Sequence, residues 1–356
     1  MQWPASEDYS FQFMQLLGAA QDGGSTVSEC FLAASGIIPG DDESWYREWK
    51  KLADASMERG NHALRKGHGR TASSNWLRAL NYSRAAQVFL GSEDPRHAQV
   101  VADMQACSRL YLRTAGAGEA VEIAWADGDT LQGYFLPAPQ SGPSAVAICF
   151  GGLGQFKEEF LHSLPRYAHG RGLSLLLIDL PGQRSAASQD PRLGRYDIET
   201  AISGWVDYLT ARDDVDPQRI AIFGDGLGAA LATRGASLDD RFAAAVCDAG
   251  IWDLHERAFL AGSAAGGKRP FDQLCSNSIA RNIRCPILVT IGEHDWLDAG
   301  HVTGCCQALR AAGLAIDLKI FAAAETAAAP AHMDNPTIGY EFIFDWIADR
   351  LGSPAG

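Results

Sequence analysis

The chain has 356 residues, of which 47% are hydrophobic and 21% charged, and carries a formal net charge of −13. This is the composition of an ordinary soluble globular protein, with core enough for one large domain or two modest ones. The acidic balance argues against nucleic acid and anionic membrane surfaces as partners, because both are polyanions.

The opening Met1-Gln2-Trp3-Pro4 carries no basic stretch leading into an apolar run, so no secretory leader is expected. No uninterrupted apolar run reaches the roughly 18 residues that a membrane-spanning helix needs. Eight cysteines are scattered without Cys-x-x-Cys pairs, which suits free thiols in a reducing compartment. The expectation is a cytoplasmic protein with a small-molecule substrate, no cofactor and no metal; a homodimer is compatible with it.

Residues 1–117 read as a helical region. Trp45–Arg65, Asn75–Leu90 and Arg96–Arg113 place apolar residues at i, i+3, i+4 and i+7, and breakers such as Pro39-Gly40 and Gly67-His68-Gly69 divide them. Asp42 or Ser44 is a candidate cap for the helix starting near Trp45. The period then changes. Val121–Trp125 and Leu131–Leu136 flank Asp127-Gly128, a hairpin signature.

Short apolar runs follow at Ala145–Phe150, Leu173–Ile178, Ile220–Phe223, Ala243–Cys247, Pro286–Ile291 and Ala315–Phe321. Helical stretches such as Ile198–Ala211 and Thr303–Ala312 alternate with them. Residues 118–356 therefore read as an α/β domain whose parallel sheet is covered on both faces. The stretch from about 250 to 280 breaks the rhythm and suggests a cap insertion.

Chemistry concentrates at four places. Arg219–Phe223 runs into Gly224-Asp225-Gly226-Leu227-Gly228 and then an alanine-rich helix, the setting of a G-x-S-x-G nucleophile elbow. The central position, where serine is expected, is Gly226. Glycine spacing alone could also serve a phosphate, so the other motifs decide. Cys285–Ile291 ends in Gly292-Glu293-His294-Asp295, where an orienting acid follows the nucleophile in chain order, and His332 stands in a loop before the last helix, as a catalytic base would. After the run ending at Phe150, Gly151-Gly152-Leu153-Gly154 offers backbone N–H groups for an oxyanion hole, with Gly152 and Leu153 as donors beside Leu227.

In this order the motifs resemble the α/β-hydrolase superfamily from about residue 120 onward. The helical front end, the run Gly151–Glu159 and the Asp179-Leu180-Pro181-Gly182 turn are similar to a narrower group. That group holds 2,6-dihydroxypseudooxynicotine hydrolase, fungal polyketide-shortening hydrolases and FrsA-like esterases. The resemblance implies cleavage of C–C bonds in 1,3-dicarbonyl-like compounds, or of esters, at a site between the front helices and the core. Trp76, Tyr82, Phe156 and Trp252 are candidates for its walls.

Without a side chain at Gly226 no acyl-enzyme can form there. Three readings stay open: an enzyme that uses the His332–Asp295 pair and the oxyanion hole directly or through water, a serine hydrolase inactivated by Ser-to-Gly, and a binding pseudoenzyme. Asp225 next to the seat is expected to point inward, and Cys149 and Cys247 to be inert buried thiols. Asp248, Glu158 and Glu256 are candidate auxiliary acids or bases.

Overall fold

The apolar spacing of the front end resolves into five helices in the computed structural model, which describes residues 6–91, 93–125, 128–152, 155–181, 198–226, 228–250 and 280–352. They are α1 (Glu7–Gly18), α2 (Val27–Gly36), α3 (Asp42–Arg65), α4 (Gly69–Gln87) and α5 (Arg96–Ala115). Ser6 caps α1 by accepting the Tyr9 N–H, and Thr26 caps α2 by accepting the Glu29 N–H. Neither expected cap of α3 does this. Asp41 holds the N-cap place without a side-chain bond, Asp42 accepts the Tyr9 hydroxyl at 2.7 Å, and the Ser44 hydroxyl donates to the Asp41 carbonyl.

By internal packing the chain divides into two units. The first runs through Ala120 and includes Tyr134–Leu136 and Glu158–Arg166; the second is the remainder, from Val121 onward. In the first, Trp45, Trp49 and Leu52 of α3 and Tyr82 and Ala85 of α4 share a core with Tyr9, Phe13 and Leu16 of α1. The Trp45 indole N–H donates to the Ala85 carbonyl at 2.8 Å, so the buried ring leaves no donor unpaired.

The sheet has eight strands: β1 (Glu119–Ala124), β2 (Thr130–Leu136), β3 (Ser144–Phe150), β4 (Ser174–Ile178), β5 (Val215–Gly224), β6 (Phe242–Asp248), β7 (Ile287–Gly292) and β8 (Ile316–Phe321). Their spatial order is β1-β2-β4-β3-β5-β6-β7-β8, and β4-β3-β5-β6-β7-β8 pair in parallel. In the second unit, short helices α6 and α7 are not both present: α6 (Phe160–Ser163) belongs to the first unit, while α7 (Pro165–His169) straddles the boundary. Then come α8 (Ile198–Thr210), α9 (Gly228–Leu238), α10 (Ala299–Ala311) and α11 (Pro336–Leu351). β3, β4 and β7 are buried along their whole length, as near-continuous apolar runs predict for a sheet covered on both faces.

This order places a site. The chain leaves β3 on one side toward β4, then returns past it to build β5 to β8 on the other. The carboxyl ends of β3 and β5 therefore flank a topological switch point, where open parallel sheets form their ligand crevice. Phe150, the last residue of β3, pairs with Gly224, the last of β5, and Gly224 pairs with Cys247 just before Asp248. The expected cap at about 250–280 lies outside the described residues except at its two ends, and so do Trp252 and Glu256. Among the described residues no helix is long and apolar enough to cross a membrane.

Candidate functional site

Three loops meet the switch point. The turn from β5 into α9 carries Gly226 at φ +55°, in the left-handed region. Its glycine neighbours are there for space: a Cβ on Gly224 would lie 2.3 Å from the Gly228 carbonyl oxygen, and one on Gly228 would lie 2.8 Å from that of Gly151. At Gly226 the situation is the reverse. Among the described residues and apart from chain neighbours, a Cβ there would meet within 4 Å only Gln155 Oε1, at 3.9 Å. The seat is bare and open. The flanking Leu227 lies outside the described residues, as does Leu153, so the oxyanion donors expected there stay unplaced. Gly152 is placed, and its N–H donates to Gln155 Oε1 at 2.6 Å.

His332, 2% exposed, sits at a 3₁₀ turn before α11. Its Nδ1 lies 2.8 Å from the Ala327 carbonyl oxygen, which can only accept, so Nδ1 carries a proton. Its Nε2 lies 2.8 Å from Asp248 Oδ1. The same Oδ1 accepts the Thr290 hydroxyl at 2.7 Å from the adjacent β7. The carboxylate on the imidazole is therefore that of Asp248, expected only as an auxiliary group, and not that of Asp295. Asp295 Oδ1 accepts the Trp296 N–H at 2.7 Å, while its Oδ2 is buried without a hydrogen-bond partner. Sequence order brings Asp295 near, but the Ala327 carbonyl takes Nδ1 and turns Nε2 toward the end of β6.

The electrostatics follow. Burial alone would lower the His332 pKa, but the charge and hydrogen bond of Asp248, the Ala327 carbonyl and the charge of Asp295 outweigh it and raise it to about 9. Burial raises Asp295 to about 6, opposed by the Trp296 N–H and assisted by the Asp248 charge. His332 is thus held toward its protonated form chiefly by Asp248, and burial holds the Asp295 carboxyl toward its neutral form.

Backbone strain marks the same place. The non-glycine residues with positive φ among the described residues are Ala249, Thr326, Ala327, Ala331 and His332. One follows Asp248, one supplies the carbonyl that holds Nδ1, and one is the histidine itself. Left-handed L-residues persist where surrounding structure over-determines them, and they cluster at functional sites.

The other candidates are placed as follows. Asp225 is 5% exposed and its Oδ2 accepts the Gln155 amide at 3.2 Å. Glu158 is fully buried, accepts the Tyr134 hydroxyl at 2.9 Å and belongs to the helical unit. Burial pushes the Cys149 thiol well up and Cys247 up to about 12, which leaves neither a ready nucleophile. Beneath the β3 loop, buried Lys157 bonds through Nζ to Asp179 Oδ2 and through its backbone N–H to Asp179 Oδ1, both at 2.8 Å. This ties the loop after β3 to the end of β4.

Thr290, Ala327 and Gln155 were not singled out by the sequence. Thr290 had a signal, since a hydroxyl in the wholly buried strand Ile287–Gly292 needs a partner. A backbone carbonyl such as that of Ala327 leaves none.

Comparison with known proteins bears on the family and the fold. The FrsA-like esterase profile matches residues 34–257, and the dienelactone hydrolase family matches 194–340. Hydrolase LUC6 of Fusarium sp is 33% identical over 259 residues, covering 70% of this chain and 62% of that protein. The 20-hydroxy-prefusarin hydrolase FUS2 of Gibberella moniliformis is 32% identical over 263 residues, covering 71% and 62%. The chain thus spans about 62% of the length of these curated relatives. Among solved structures, 2,6-dihydroxy-pseudo-oxynicotine hydrolase superposes with a TM-score of 0.76 at 19% identity, covering 95% of this chain and 97% of that one. That likeness shows a shared α/β-hydrolase fold. With a family profile spanning more than half of its length, the chain belongs to the FrsA-like esterase family.

Proposed function

We propose that this protein is an enzyme acting on a small carbonyl compound, a 1,3-dicarbonyl, polyketide-like or ester substrate, by proton transfer and without an acyl-enzyme. The observation that carries this reading is His332 locked between the Ala327 carbonyl and Asp248 at the end of β6, the strand next to β5, whose following turn carries Gly226. The Asp248–His332 pair, joined through Nε2 at 2.8 Å, takes a proton from carbon or water and returns it to the product. Once it is released from Gln155 Oε1, the Gly152 N–H is a donor for a developing oxyanion. Asp295, titrating near neutral, is a second proton reservoir beside the pair. A cytoplasmic location suits Cys30, Cys107, Cys149, Cys247, Cys285 and Cys306, which are free of disulfides.

A second reading is favoured by the open seat itself, which has room for a side chain at a turn already bent for one: a serine hydrolase with glycine in place of its nucleophile. One set of variants separates the two. In the first reading, the native protein turns over a diketone such as benzoylacetone, and His332→Ala lowers that turnover by about 10²–10⁴-fold. Turnover that survives His332→Ala removes it. The second reading expects no turnover by the native protein, but ester hydrolysis and labelling by serine-directed phosphonates once Gly226→Ser is made.

A further inference from the structure

Gln155 lies along one side of the bare seat. Its carboxamide oxygen accepts the Gly152 N–H at 2.6 Å and its amide nitrogen donates to buried Asp225 at 3.2 Å. A Cβ on Gly151 would lie 2.5 Å from that oxygen and 2.7 Å from Gln155 Cβ, so glycine at 151 leaves the room in which this side chain lies. On its other flank the same oxygen is the atom that faces the open position at Gly226, 3.9 Å from where a Cβ would stand. One carboxamide therefore spans from the candidate oxyanion donor to the nucleophile turn.

The chemistry of the contact is specific. A carboxamide oxygen is the same kind of acceptor as a substrate carbonyl, and it sits on the donor that such a carbonyl would need. Exchange of one for the other keeps a partner on the Gly152 N–H throughout, so no buried donor is stranded. The exchange also sets a threshold, because an incoming oxygen must outcompete an amide oxygen. A charged oxygen forms a hydrogen bond roughly twice as strong as a neutral one.

We propose that the Gln155 carboxamide oxygen is a built-in competitor for the oxyanion site, holding the Gly152 N–H in the empty enzyme and yielding to enolates in preference to neutral esters. This rests on the reading of Gly226 as the nucleophile seat and of Gly152 as an oxyanion donor. It makes Gln155 a specificity-determining residue.

The test uses paraoxon, a neutral phosphate triester that labels an active serine, on Gly226→Ser with and without Gln155→Met. Methionine keeps the bulk of the side chain and removes the strong acceptor. Freeing the donor should speed inactivation by up to about 10²–10³-fold, the range associated with a single oxyanion donor. In the native background, Gln155→Met should also speed hydrogen exchange at the Gly152 amide. An unchanged or slower inactivation rate, with Gly226→Ser itself still labelled, overturns the competitor role and leaves the seat standing. Absence of labelling in both folded variants overturns the seat, and the competitor with it. Unchanged exchange at Gly152 overturns the contact on which the proposal is built.

Discussion

Two carboxylates lie close to one imidazole, and only one of them touches it. Asp248 is the last residue of β6, held by the sheet and by Thr290, whereas Asp295 stands in a turn after β7 with one oxygen unpartnered. Asp248→Asn should therefore lower the His332 pKa toward its ordinary value near 6.5, visible in the NMR titration of the imidazole Cε1–H. It should also reduce turnover by about 10²-fold or more. Asp295→Asn removes a charge that acts only at a distance and should lower both far less; equal effects from the two variants would contradict the assignment. The sequence made Asp295 and His332 visible through the family's chain order, and Asp248 only as an auxiliary carboxylate. It did not show which acid the ring faces. That choice is made by a backbone carbonyl at Ala327 and by left-handed backbone at His332, neither of which is written in residue type.

At the scale of elements, the central strands were legible to within a residue or two where both faces are buried, because a buried parallel strand reads as one apolar run. Ala145–Phe150 became Ser144–Phe150, and Leu173–Ile178 became Ser174–Ile178. α1 and α2 were less legible. Short helices offer few turns for a period to show, and α2 carries exposed Phe31 and Leu32 beside buried Cys30 and Ala33, which blurs its face. The loop after β3 depends on an ion pair that periodicity does not reveal. Lys157 is 2% exposed and Asp179 8%, so Asp179→Ala would take a carboxylate away from a buried ammonium and lose the acceptor for the Lys157 N–H. Loss of one partner of a buried pair costs about 3–5 kcal/mol, readable as a lowered urea midpoint. Asp179→Asn, which keeps an acceptor for the N–H, should lose less.

At the scale of the whole molecule, the site makes folding depend on pH. His332 is raised to about 9 in the folded protein, against an ordinary value near 6.5 when unfolded. A group held more protonated by folding adds stability that is fully present below the unfolded pKa and is lost as pH rises through the folded one. Stability from this residue should therefore fall between about pH 6.5 and 9. His332→Gln should flatten that decline, measured as urea midpoints across the interval; a decline of the same size in the variant would place its origin elsewhere.

The left-handed residues around the histidine have an evolutionary consequence. An L-residue in that region costs roughly 1–2 kcal/mol, which glycine avoids at the expense of a more flexible unfolded chain. Ala331→Gly should therefore be tolerated or raise the unfolding free energy by up to about 1 kcal/mol, while loosening the turn that aims His332. Selection for heat resistance alone should drift toward glycine at such positions and selection for turnover away from it, so thermal midpoint and catalytic rate should move in opposite directions in this variant.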